Sequence, residues 1–99
     1  MEIENKHSLR YFELIDKGDR YHINSPALEA GLKTFKEKRL FYLRFLHLEK
    51  SLGKPWSART DLDNKTMRII LEKLGARPFH IDLKTYKIYY IKASENEDL

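Results

Sequence analysis

The chain contains no cysteine, which excludes disulfides, a thiolate nucleophile and a cysteine-ligated zinc site at once. Stability must come from packing, and the composition suits a reducing compartment. Glycine and proline are scarce, at 4 and 3 residues, and no linker, repeat or low-complexity tract divides the sequence. One core is therefore expected from 99 residues. Long apolar runs are also missing. The longest cluster, Leu40 to Leu48, is broken by Arg44 and His47, whereas a membrane-spanning helix needs about 20 mostly apolar residues. The opening Met1-Glu2-Ile3-Glu4-Asn5 lacks the cationic start and apolar stretch of a secretory signal. The expectation is a chain with a cytoplasmic address and no membrane partner. What is present is enough to fold, because 41% of residues are hydrophobic and 12% aromatic.

The net charge of +4 conceals an asymmetry. Residues 1–32 carry 4 basic and 6 acidic side chains, residues 33–73 carry 11 basic and 5 acidic, and Glu95, Glu97 and Asp98 close an acidic tail over 93–99. A cationic middle can attract an anion such as a nucleotide cofactor or nucleic acid, or can simply be a solvated helix face.

Residues 9–15 and 20–24 read as two strands joined by the turn Asp16-Lys17-Gly18-Asp19. Residues 1–8 are then an N-terminal extension to a domain spanning 9–92. Asn24-Ser25-Pro26 is a helix-start signal. A long helical stretch is expected from there to Leu52-Gly53, with Leu32, Phe35, Arg39, Tyr42, Leu43 and Leu46 at helical spacing and the segment Leu40 to Leu48 largely buried. A short strand follows at 55–60. Asp61 to Asn64 then offers capping groups to a helix whose apolar stripe is Met67, Ile70, Leu71 and Leu74, ended by Gly75. A hairpin at 78–83 and 86–92 closes the chain, with Phe79, Ile81 and Leu83 alternating against His80 and Asp82. The order ββαβαββ predicts an α+β domain, a mixed and mostly antiparallel sheet of about five strands with two helices.

From Trp56 to Lys92 the sequence resembles the C-terminal half of the GCN5-related N-acetyltransferases. The residues that carry the likeness are Asn64, Met67, Ile70, Glu72, Lys73 and Gly75, followed by the closing hairpin. Upstream, Tyr21 to Pro26 and the long helix resemble the family's strand, phosphate-binding turn and helix, so the likeness covers about residues 20–92. It implies a GNAT-like fold that binds acyl-CoA, acetyl-CoA above all, between the strand ending near Asn24 and the strand at 56–60, with N-acyl transfer as the reaction. Gly31, Leu32, Lys33 and Lys36 would meet the cofactor's pyrophosphate and Asn64 its pantetheine arm. The departures are specific. Where the family turn has arginine or glutamine, two intervening residues, glycine, one more, then glycine or alanine, this chain reads Leu28-Glu29-Ala30-Gly31-Leu32-Lys33, with only Gly31 in place. Leu71 stands where many members carry a tyrosine that protonates the leaving thiolate. A typical member is also about half as long again, with further strands and helices. The alternative implied by these departures is a non-catalytic remnant of the fold, kept as a protein-binding or structural module such as a phage genome would carry.

Other chemistry is thinly represented. His7, His22, His47 and His80 lack metal-ligand spacing, and no Gly-x-Ser-x-Gly signature occurs. His22 and Glu13 are the weak candidates for a general base, against a structural role for His22 and a core or rim role for His47. Lys33, Lys36, Lys38, Arg39 and Arg44, interleaved with Tyr42 and Phe45, make nucleic acid a further possible partner, although no known recognition signature is present and Glu37 and Glu49 interrupt the positive face. Apolar groups on nearly every side of 40–48 also predict self-association as a homodimer.

Overall fold

In a computed structural model that describes residues 11–93, the first hairpin forms as β1 (Glu13–Asp16) and β2 (Tyr21–Asn24). Its turn is held by the Asp16 carboxylate, which accepts from the Gly18 amide at 2.8 Å, and by Lys17 N–H donating to the Arg20 carbonyl at 2.8 Å. The expected extension at 1–8, residues 9 and 10 of the first predicted strand, and residues 94–99 of the tail lie outside the described residues.

The long helix is two helices. Ser25 caps α1 (Pro26–Ala30) by accepting from the Ala27 amide, and Pro26 takes the first turn as the sequence predicts. Gly31 then leaves the helical region, with φ of 82° and ψ of −177°. A second helix, α2 (Phe35–Lys50), starts at Thr34 through a capping box. Thr34 Oγ1 accepts from the Glu37 amide at 3.1 Å and Glu37 Oε1 accepts from the Thr34 amide at 3.0 Å. The Thr-x-x-Glu spelling of that box is in the sequence and marks the restart. β3 (Trp56–Asp61) follows, then α3 (Lys65–Lys73), whose cap is Asn64 Oδ1 accepting from the Met67 amide at 3.1 Å. β4 (Arg77–Asp82) and β5 (Lys87–Lys92) form the closing hairpin.

The strand order is β1-β2-β3-β5-β4. Only β2 and β3 run parallel, and every other neighbouring pair is antiparallel. The fold is thus α+β, an open mixed five-stranded sheet with three helices, compatible with an acetyltransferase-like arrangement. All three helices lie on one face. The Phe45 ring of α2 meets Trp56 at 4.7 Å, Thr60 Oγ1 donates to the Leu28 carbonyl of α1 at 2.8 Å, and Arg68 and Glu72 of α3 bond the Tyr90 hydroxyl at 3.2 and 2.9 Å. Trp56, Ala58 and Thr60 of β3 and Ile88 and Tyr90 of β5 line this face and are buried. Period-2 alternation puts Ser57, Arg59, Asp61, Lys87 and Tyr89 on the other.

Two burial expectations need correction. On α2 only Phe41, Phe45 and Leu48 are buried, whereas Leu43 is 46% exposed and Arg44 and His47 are exposed. His47 is therefore not a core residue: the sheet can cover one helical stripe, and position 47 falls off it. In β4 the alternating Phe79, Ile81 and Leu83 are 48%, 48% and 77% exposed. Leu83 lies past the strand's end, β4 is an edge strand, and a register shift between Pro78 and His80 breaks its alternation. Among the described residues no helix is long and apolar enough to cross a membrane.

Candidate functional site

The gap expected to receive a cofactor is visible in the ladder. β2 and β3 pair over three registers, Tyr21–Trp56, His22–Ser57 and Ile23–Ala58. β3 then continues to Asp61 while the chain after β2 turns away at Ser25-Pro26. The parallel strands separate there, because the Ser25 cap and Pro26 commit the backbone to α1 instead of a fourth pair.

α1 itself fills that separation. Ala27 and Leu28 are 0% and 1% exposed, and the fully buried Thr60 hydroxyl ties the Leu28 carbonyl to β3. On the other face Glu29 reaches Lys87 Nζ at 2.9 Å and lies 3.6 Å from Arg59 Nε. Lys87 also bonds Asp61 at 2.6 Å, and these two carboxylates raise its pKa, Asp61 the more strongly. The short helix is therefore a wedge held from both sides of the sheet. Glu29, within the stretch that the resemblance aligns with a phosphate turn, is the outer anchor.

The predicted cofactor residues are partly gathered. A Cβ built on Gly31 would lie 3.4 Å from Asn64 Nδ2, so these two positions are neighbours. Leu32 is half-buried against the core, and Lys33 and Lys36 are exposed. Asn64 spends its oxygen on the α3 cap. The amide end of α2, where an anion would sit, holds the Glu37 carboxylate of the capping box. Thr34 lowers the Glu37 pKa through those hydrogen bonds, so the group is ionised at neutral pH.

The two general-base candidates are not brought together. Glu13 stands opposite Asn24, whose Nδ2 donates to Glu13 Oε1 at 3.4 Å. His22 stands opposite Ser57, with Nδ1 2.9 Å from the serine hydroxyl. Arg20 Nε donates to the same hydroxyl at 3.1 Å. One ring nitrogen of His22 is therefore engaged by Ser57, which is itself buried, at 1% exposed. Burial lowers the His22 pKa first, and the positive charges of Arg59, Lys17 and Arg20 lower it further. Sequence reading missed Ser57, Arg20 and Tyr89, whose ring lies 6.3 Å from that of His22, in this cluster. The polar alternation Ser57-Ala58-Arg59-Thr60-Asp61 on a central strand was the available signal.

The depressed pKa fixes a sign for the pH dependence of stability. Between its folded pKa and the unfolded value of about 6.5, His22 binds more protons in the unfolded chain, so stability rises with pH across that window. Unfolding by urea should thus show a loss of stability as pH falls below about 6.5, before the carboxylates titrate. His22→Gln should flatten the loss. An identical pH profile in that variant would remove His22 as its source.

Among the described residues no group of three or more histidine, cysteine, aspartate or glutamate side chains is placed to hold a metal ion. No family model matches the chain, and no curated protein or solved structure matches it either.

Proposed function

We propose that the chain is a non-catalytic, acetyltransferase-like fold that serves as a protein-binding module. One observation carries the reading: α1 occupies the separation between β2 and β3 that an acyl-CoA arm would need, with Thr60 and Leu28 bonded across it. Two further features support it. Glu29 and the capping Glu37 place carboxylates where pyrophosphate would require open amides. Neither His22 nor Glu13 stands as a free group, since each is hydrogen-bonded to a side chain of the neighbouring strand.

A second reading, acyl-CoA binding with N-acyl transfer, is favoured by the approach of Gly31 to Asn64, the two positions that the resemblance assigns to adjoining parts of one cofactor, its pyrophosphate and its pantetheine arm. Calorimetric titration with acetyl-CoA and with CoA separates the two. The binding-module reading expects no heat of binding at millimolar ligand, and saturable binding in the micromolar range would replace it with the second.

A further inference from the structure

The cations of this protein fall into two populations. Several on and around the sheet are paired: Lys54 with Asp16, Arg59 and Lys87 with Glu29, Lys92 with Glu49. Those on the outer sides of α2 and α3 are different. Lys38, Arg39 and Lys73 have no acidic partner among the described residues. The cause is that all three carboxylates carried by these helices have other partners. Glu37 caps α2, Glu49 accepts from Trp56 Nε1 at 2.7 Å and pairs with Lys92, and Glu72 accepts from the Tyr90 hydroxyl. The sequence suggested that Glu37 and Glu49 interrupt the positive face of this helix; Glu49 is drawn to Trp56 and Lys92, and Glu37 is tied to the Thr34 cap.

Between those unpaired cations lies a groove of about 380 Å³. Its apolar lining is Phe35 and Tyr42 from α2 and Ile69 and Ile70 from α3. Phe35 is 80% exposed and Ile69 55% exposed, so each wall presents a large side chain to solvent. Lys38 and Arg39 stand on one side and Lys73 on the other. Water covers this apolar surface at a cost, and the flanking charges repel a cationic occupant and attract an anionic one.

We propose that this groove is the docking site for an acidic amphipathic helix of a partner protein. Such a segment would seat apolar side chains, spaced one helical turn apart, between Phe35 and Ile69 and set carboxylates against Lys38, Arg39 and Lys73. A helix is the occupant the shape favours, because two helices already form the walls and a third can pack its ridge between them. Nucleic acid fits less well: one wall is aliphatic and offers no ring for base stacking, and the cations bracket an apolar floor instead of following a backbone track. The proposal rests on the binding-module reading and names its partner.

The test uses the whole chain and a fluorescein-labelled helical peptide of about 16 residues, with leucine or phenylalanine at i, i+4 and i+7 and glutamate on both flanks. Fluorescence anisotropy should give a Kd in the micromolar range, weakened at least tenfold by Ile69→Glu and by the pair Lys38→Glu and Lys73→Glu. These residues are solvent-accessible, and unchanged circular dichroism spectra and melting temperatures would show that the variants fold. A peptide with lysine in place of glutamate should not bind. Equal binding by a sequence-scrambled acidic peptide, indifference to the groove variants, or tighter binding of a single-stranded oligonucleotide at the same salt would each overturn the proposal. So would light scattering that shows a dimer broken by Ile69→Glu, since a second copy would then be the occupant. If the peptide fails while acetyl-CoA still gives no heat, the groove proposal falls alone and the binding-module reading stands.

Discussion

Phe45→Ala should destabilise the protein by about 3–5 kcal/mol, a large part of the roughly 5–15 kcal/mol that keeps a domain folded. Phe45 is fully buried, and its ring lies 4.7 Å from Trp56, 5.4 Å from Phe12 and 5.8 Å from Phe41, centroid to centroid. These four aromatics join the segment before β1, the middle of α2 and the start of β3. Truncation removes the ring that touches all of the others, and backbone elements on both sides limit how far the site can collapse. Leu43→Ala on the same helix is the control, because Leu43 is 46% exposed and its loss should change stability by well under the Phe45 effect. Urea unfolding reads both as shifts in midpoint at constant slope. A Phe45→Ala cost below about 1 kcal/mol would mean that the aromatic cluster is not what joins these elements.

The next largest effect is expected at Gly31. Its φ of 82° with ψ of −177° is a conformation available essentially to glycine alone, so Gly31→Ala should cost about 1–3 kcal/mol in backbone strain. The added Cβ would also press on Asn64 Nδ2 at 3.4 Å, against the residue that caps α3. Gly53→Ala provides the contrast: a Cβ there meets nothing within 4 Å, and no positive φ is involved. A loss of stability at Gly31 comparable to that at Gly53 would argue that the link between α1 and α2 is not held in this conformation. The same geometry bears on function. Gly31 is required by the chain's own turn, so its presence at a phosphate-turn position is accounted for without a ligand.

Much of the architecture was legible in the sequence, and what was not has identifiable causes. The hairpins, β3 and α3 follow from period, turn chemistry and caps, and the structure shifts their ends by one or two residues, with the exception of β1. There the strand itself begins only at Glu13, although Phe12 is already buried against α2. The break between α1 and α2 escaped because the apolar spacing runs through it. Only the Gly31 conformation and the Thr34–Glu37 box record the interruption. Exposure on β4 escaped for another reason, since alternation says which side chains share a face but not whether a face at a sheet edge has anything to cover it.

The candidate site was legible as positions and not as chemistry. Gly31 and Asn64 are neighbours in the fold. What fills the space beside them could not be read from spacing, because it depends on Leu28 and Glu29 being drawn to opposite faces of the sheet by Thr60 and by Lys87. The carboxylates were the most misleading residues. Glu37, Glu49 and Glu72 count as negative charge on the helices in sequence, yet Glu37 is tied to the α2 cap, Glu49 and Glu72 are bonded to the sheet, and Lys38, Arg39 and Lys73 are left unpaired.

The central claim is that α1 closes the space between β2 and β3 against a cofactor, and amide NMR during addition of CoA tests it most directly. The resonances to follow are the backbone amides of Gly31 to Lys36, the Asn64 side-chain amide and the amide of Thr60. With α1 in place these should not move at millimolar CoA, apart from small unsaturating shifts at the exposed Lys33 and Lys36. Saturable shifts at Gly31, Asn64 and Thr60 with a micromolar midpoint would contradict the claim, because they would require the wedge to leave the gap and a cofactor to enter it.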